Sequence, residues 1–340
     1  METPILAKVV RGETTESLHR GHLIVLDGDG ERLITIGDPQ TITYFRSACK
    51  PFQALPFITS GAAEEFGFTE DEIALACASH SGEPIHVEIV ARMLEKIGLD
   101  ESDLQCGAHL PFNEKESERL LRSNAEITQL HNNCSGKHAA MLAFATRINA
   151  DTDRYLLQRS PVQQAILKTI SIFCEVPKDG IVIGIDGCCA PNFAMPLMAM
   201  ARGFLNLVAP QEDFADAVVR SAAAKIVSAM LKYPELIGGS ERLDTMLMKA
   251  APGKLISKVG ADGVWLCGIL PCEKYPKGLA IAIKIEDGDD KRARPVVAVE
   301  VLKKLGVLLP DELAELSPMP IKNRRGDVVG RVEPWLYERA

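Results

Sequence analysis

Arg46-Ser47-Ala48-Cys49-Lys50-Pro51-Phe52 sets a serine hydroxyl and a lysine amine three residues apart, ahead of an apolar run. On a helix, residues at that spacing share a face, with Cβ atoms roughly 5–6 Å apart, so the amine reaches the hydroxyl. If burial lowers the lysine pKa, the neutral amine is a base for the serine proton. Pro51 lacks an N–H and suits the first turn of a helix. That places Ser47 at the helix start and Lys50 one turn on. The unpaired N–H groups of such a turn lie where an oxyanion would form. Ser-x-x-Lys also arises by chance, as a cap followed by a solvated lysine, so the reading depends on its company.

Three further polar clusters interrupt apolar stretches. Cys77-Ala-Ser79-His80-Ser81-Gly-Glu83-Pro84 packs two serines, a histidine and a carboxylate into a turn bounded by Gly and Pro. As a structural element alone it reads as a helix C-cap loop. His131-Asn-Asn-Cys134-Ser-Gly-Lys137-His138 is dense in donors and leads into an apolar helix. Buried polar groups at a helix mouth are either satisfied or functional. Asp186-Gly-Cys188-Cys189 adds a carboxylate and two adjacent thiols. One of those thiols with Cys134 gives two thiolates, too few for zinc, which usually takes four ligands. His131, Lys137 or His138 would supply a third and water a fourth. Lys258, late in an apolar segment, reads on its own as an edge-strand lysine.

These clusters must be positioned by the elements around them. Residues 5–10 and 22–37 read as strands, the latter folded at Asp27-Gly-Asp-Gly-Glu31, a hairpin signal. Helices are expected over 47–60, 69–77, 84–98, 114–124, 160–174, 194–206, 212–232 and 240–250, with another running from the 131–138 cluster to about 148. Ile85, Ile89, Val90, Met93, Leu94 and Ile97 give the helical period most clearly. From residue 253 the texture changes to three strands, 254–259, 263–270 and 279–286, then a helix over 292–305 and an exposed tail. The expected organisation is α+β: an antiparallel sheet domain from 1–45 and 251–340, with a mainly helical domain, 46–250, inserted.

The chain has 340 residues, 46% hydrophobic and 25% charged, with a net charge of −8. That balance excludes a general nucleic-acid binder or a ligand of anionic membranes. No apolar run reaches the ~20 residues that span a bilayer. Without a visible export signal at Met1–Ile5, a cytoplasmic protein whose nine cysteines are mostly thiols or metal ligands is expected.

Strands, a long helical middle, then strands and a helix resemble the penicillin-recognising and serine β-lactamase fold, in which Ser-x-x-Lys opens a helix. Ser47/Lys50, Ser79 and Lys258-Val259-Gly260 stand in its three motif positions. The second motif is not Ser-Asp-Asn and the third has Val for Thr, departures that argue against penicillin as substrate. Together the four clusters resemble the rhizobial-type, or class 3, L-asparaginase II family over most of the chain. That resemblance implies hydrolysis of L-asparagine to L-aspartate and ammonia by a homodimer. It makes Ser47 the nucleophile with Lys50 as partner, and Ser79 with Lys258 a second Ser–Lys pair. It makes Cys134, Lys137 and Cys188 ligands of zinc. Arg46 and Asp186 match positions near the substrate, and His80 is taken as a substrate-binding candidate with them. A glutaminase of the same fold and a non-catalytic zinc–thiolate binding protein are the rival expectations.

Overall fold

The computed structural model describes residues 2–336. In chain order its strands are β1 (Ile5–Arg11), β2 (Thr14–Leu26), β3 (Arg32–Ile36), β4 (Ile42–Tyr44), β5 (Val182–Ile185), β6 (Pro191–Pro196), β7 (Leu255–Gly260), β8 (Val264–Ile269), β9 (Leu279–Ile285), β10 (Met319–Lys322) and β11 (Val328–Pro334). Its helices are α1 (Lys50–Thr59), α2 (Ala62–Glu65), α3 (Glu70–Ala76), α4 (Pro84–Glu95), α5 (Glu114–Ser123), α6 (Ser135–Arg147), α7 (Pro161–Cys174), α8 (Leu197–Val208), α9 (Ala217–Lys232), α10 (Pro234–Gly238), α11 (Leu243–Ala250) and α12 (Ala293–Lys304). Among the described residues no helix is long and apolar enough to cross a membrane.

The chain divides into two units. The first comprises Met1–Ala48, Met195–Ala209 and Met246–Ala340; the second comprises Cys49–Ala194 and Pro210–Thr245. The expected α+β arrangement holds: one antiparallel sheet draws its strands from both ends of the chain. The expected boundaries need correction. The helical insertion is not one block over 46–250, because α8 belongs to the sheet unit. Its apolar face packs on β2, β8 and β9, and a Cβ on Gly268 of β8 would lie 2.5 Å from Val208 Cγ1. Close approach of helix and strand therefore requires glycine there.

In the first unit the strand order is β10-β11-β1-β2-β9-β8-β7, with β3 also paired to β2. β2 is long because its two halves have different partners. Residues up to Arg20 pair with β1, and Gly21–Leu26 pair with β9. The first half is polar and largely exposed, which is why its sequence did not read as a strand. Likewise β10 and β11 form a hairpin within the expected exposed tail. Strands β7 and β8 are buried along their whole length, as for strands covered on both faces.

In the second unit α1 and α6 are central. Every residue of α1 from Lys50 to Ile58 is buried, as is every residue of α6 from Ser135 to Ala145. A helix enclosed on all sides is a core helix, and α1 packs against α3, α6, α7 and α9. The expected helix over 47–60 begins later. Arg46–Cys49 form a 3-10 turn, and α1 starts at Lys50 with Pro51 in its first turn.

Glu72 anchors the helix pair α3–α4. It is fully buried, accepts the Thr69 N–H at 2.7 Å, and meets Arg92 Nε at 2.8 Å and Lys96 Nζ at 2.6 Å. Burial pushes its carboxyl up, but Lys96, Arg92 and the Thr69 N–H outweigh that, and the net shift is downward. A carboxyl depressed in the folded state contributes stability above its unfolded value of about 4.3, lost as pH falls through the folded value. Glu72→Gln is expected to cost about 3 kcal/mol at pH 7 by urea denaturation, a penalty that shrinks below about pH 5. An equal loss at pH 7 and pH 4 would remove the ionic explanation.

Candidate active site

Lys50 opens α1 with its amine wholly enclosed. Nζ lies 2.6 Å from the Ala78 carbonyl, 3.1 Å from the Asn133 carbonyl and 2.9 Å from Ser79 Oγ. The first two partners are carbonyls and only accept. A neutral amine has two hydrogens and one lone pair. An ammonium would donate to all three; in the neutral form two hydrogens serve the carbonyls and the lone pair can accept from the Ser79 hydroxyl. Burial pushes the Lys50 pKa down, favouring that neutral form, while Cys134 opposes it. The lysine's hydroxyl partner within this unit is therefore Ser79.

Ser79 sits on a loop held at several points. Its N–H donates to the Ile237 carbonyl at 2.8 Å, and Ser81 Oγ donates to the Gly238 carbonyl at 2.6 Å. The Glu83 carboxylate accepts from Asn113 Nδ2 at 3.1 Å and from the Ser240 N–H at 3.0 Å. Gly239, with φ of 108°, must be glycine, because a Cβ there would lie 2.4 Å from Ser81 Oγ. His80 is fully buried between this loop and the start of α6.

The cysteine motifs also converge. Lys137 Nζ lies 3.0 Å from Cys188 Sγ. Interaction with Cys134, Lys137 and His138 holds Cys188 far below the usual thiol range despite burial. The interaction with Cys188, with burial, pushes Cys134 up. Burial alone would lower Lys137, but the two sulfurs outweigh it and the net shift is upward. The cluster's electrostatics thus favour a thiolate at Cys188 and an ammonium at Lys137. Gly136 lets α6 pack close on α3: a Cβ there would lie 2.4 Å from the Leu75 carbonyl.

Among the described residues no three His, Cys, Asp or Glu side chains are grouped for a metal ion; the third donor here is a lysine. The donor chemistry nonetheless fits zinc. Two sulfurs and one amine come together from separate parts of the unit, and Cys188 is biased toward the thiolate that zinc binds. His138, beside Cys188, has a buried Nε2 without a hydrogen bond of ordinary geometry, while its Nδ1 lies 2.7 Å from the Tyr155 hydroxyl. Lys137 would have to lose its proton to coordinate. Burial and the Lys137 charge hold the His138 pKa down at about 4, so its ring is neutral at pH 7.

The remaining candidates are placed as follows. Asp186 forms the β5–β6 turn, where its carboxylate accepts the Gly187 N–H at 2.7 Å and the Cys189 N–H bonds its carbonyl at 2.9 Å. Cys189 closes that turn exposed, with φ of 67°. In the first unit Ser47 is half-buried in the 3-10 turn. Arg46, immediately before it, has φ of 51°, a left-handed conformation that costs a non-glycine residue about 1–3 kcal/mol. The Arg46 guanidinium pairs with Asp262, just beyond β7. A Cβ on Gly260 would lie 2.8 Å from the Phe45 carbonyl, so the end of β7 runs directly against the segment carrying Ser47. That contact explains the glycine in Lys258-Val259-Gly260. Lys258 is fully buried on β7, with Nζ 3.4 Å from the Val259 carbonyl.

Sequence reasoning did not find the Ala78 and Asn133 carbonyls, Ser135 or Tyr155. Backbone acceptors leave no mark in residue types. Ser135 lay inside a singled-out motif but was read only as part of it.

The family model for L-asparaginase II matches residues 7–334. This chain belongs to the L-asparaginase II family. Membership marks it as an amidohydrolase. A comparison with curated proteins gives no match. Solved structures that resemble it do so loosely. A probable glutaminase from Bacillus subtilis, complexed with 6-diazo-5-oxo-L-norleucine, is 13% identical with a TM-score of 0.41 over 85% of each chain. Native Mglu is 13% identical with a TM-score of 0.45, over 89% of this chain and 65% of its own. A carbapenemase from Vibrio cholerae is 14% identical with a TM-score of 0.36, over 83% of this chain and 94% of its own.

Proposed function

We propose that this L-asparaginase II family member hydrolyses L-asparagine to L-aspartate and ammonia through serine–lysine chemistry. The observation that carries the reading is the Lys50 amine, buried and within hydrogen-bond reach of two carbonyls and the Ser79 hydroxyl. In its neutral form, which burial favours, such an amine takes a proton in acyl transfer. Ser47 attacks the side-chain amide carbon, and its proton passes to Lys50. The C–N bond breaks as ammonia leaves with a proton relayed through Ser79. Water then attacks the aspartyl ester, releasing L-aspartate and restoring the Ser47 hydroxyl. Lys258 is the second amine of the relay, and Arg46 and Asp186 are the candidates for holding the substrate.

A second assignment of the nucleophile has its own observation. Lys50 contacts Ser79 directly at 2.9 Å, the arrangement of an activated nucleophile with its base. In that version Ser79 forms the ester.

Cys134, Lys137 and Cys188 would hold zinc, which when bound supplies a Lewis acid able to polarise or anchor a substrate oxygen or carboxylate. All three side chains are buried, and Lys137 Nζ lies 3.0 Å from Cys188 Sγ. Zinc measured by metal analysis is expected at about one ion per chain. It should fall at least tenfold in Cys188→Ala and Cys134→Ala; undiminished content would refute the ligand set.

The deciding experiment is ammonia release by purified protein from L-asparagine and, separately, L-glutamine. Asparagine is expected to be the better substrate. The two differ by one methylene, which a pocket distinguishes by only about 1–3 kcal/mol, so glutamine should also turn over slowly. Preference for glutamine would transfer the assignment to a glutaminase. No release from either, with ligand-dependent thermal shifts, would favour a binding protein.

A further inference from the structure

His80 makes two hydrogen bonds that fix its protonation state. Its Nδ1 accepts the Gly82 N–H at 3.1 Å, which uses the lone pair on that nitrogen. The proton of the neutral ring must therefore sit on Nε2. Nε2 lies 2.8 Å from Ser135 Oγ, and Ser135 Oγ in turn donates to the Leu130 carbonyl at 3.0 Å. Every hydrogen in this chain has one direction: Gly82 N–H to His80, His80 Nε2–H to Ser135, Ser135 O–H to Leu130. The ring is fully buried and stacks on His86 with centroids 5.0 Å apart and planes 14° from parallel. His86 is held by the Glu83 N–H at 3.1 Å on Nδ1. Both ring nitrogens of His80 thus have partners inside the fold, where sequence reasoning made it a substrate-binding candidate.

What the bond joins is informative. His80 follows Ser79, and Ser135 follows Cys134. The Lys50 amine spans the same two segments, bonding Ala78 and Ser79 on one side and Asn133 on the other. The two bridges lie side by side, one through lysine and one through histidine. Lys50 reaches Ala78, Ser79 and Asn133 together only while the two segments keep their present separation. The His80–Ser135 bond is a short, directional tie between those same segments.

We propose that His80 is a positioning residue: its Nε2–H···Ser135 bond clamps the Ser79 loop to the start of α6 and so sets the Lys50–Ser79 geometry. The inference rests on the proposed serine–lysine chemistry. Its tests are Ser135→Ala, His80→Phe and His80→Gln, the last retaining an N–H donor near the Nε2 position. A displacement of about 1 Å at a catalytic pair costs about 100-fold. Ser135→Ala and His80→Phe should each lower kcat on L-asparagine about 10- to 100-fold with KM changed less than about threefold. His80→Gln should recover most of the loss. The double variant Ser135→Ala/His80→Phe should be no slower than the worse single one, since both cut the same bond.

Unchanged kcat in folded Ser135→Ala, or additive losses in the double variant, would overturn the proposal. A rise in KM alone would return His80 to substrate binding. Crystal structures of wild type and Ser135→Ala give a readout independent of substrate. A longer Lys50 Nζ–Ser79 Oγ distance is expected in the variant, and an unchanged distance refutes the clamp. If wild-type protein releases ammonia from neither amide, the proposed function fails, while the structural comparison still decides the role of His80.

Discussion

Lys50→Met is expected to lower kcat on L-asparagine by about 10⁴-fold, the upper end of what a positioned general base contributes. The magnitude follows from the amine's direct contact with a hydroxyl: Lys50 Nζ lies 2.9 Å from Ser79 Oγ. Methionine fills much of the same volume but leaves the Ala78 and Asn133 carbonyls without their donor. Each buried acceptor so orphaned costs about 1–3 kcal/mol, so the variant must be shown to be folded before its rate is read. Lys50→Arg separates the two effects. Guanidinium supplies donors to both carbonyls yet is never deprotonated at working pH. Folded Lys50→Arg should be as inactive as Lys50→Met. Activity above about a tenth of wild type in Lys50→Arg would mean that a neutral amine is not required.

Ser47→Ala and Ser79→Ala carry the second large effect, and they should differ in kind. With Ser47 as nucleophile, Ser47→Ala loses turnover by at least about 10⁴-fold and no longer forms a covalent adduct with a diazo-ketone analogue of asparagine. Ser79→Ala, deprived of a proton relay, falls about 10²- to 10³-fold but still labels slowly. Mass spectrometry of the labelled protein then identifies the modified residue. An adduct that persists in Ser47→Ala and vanishes in Ser79→Ala would exchange the two roles, in line with the direct Lys50–Ser79 contact. The conformation of Arg46 bears on the same test. A left-handed φ of 51° before Ser47, with the guanidinium paired to Asp262, is strain retained where a side chain is aimed.

Much of this protein is determined by residue order alone. The periodicity of 84–98, the Asp-Gly hairpin at 27–31 and the capping residues of α3 are local signals, and local sterics and hydrogen bonding make them legible. The four polar clusters were legible too, because hydroxyl, thiol, amine and imidazole groups inside apolar runs demand an explanation. So was the α+β order, with sheet strands at both ends of the chain. Residue order did not reveal the polar half of β2 or the β10–β11 hairpin, since exposed strands lack the alternation that marks a buried face. It also placed α8 in the wrong unit, because an apolar helix face does not name the sheet it covers. The pairing of Lys50 with Ser79 could not be read from spacing either. Three residues of separation link Lys50 to Ser47, whereas 29 separate it from Ser79. That second pairing exists because the fold gathers the Ala78–Ser79 loop and the Asn133 carbonyl, whose backbone acceptors are invisible in the sequence, around one buried amine.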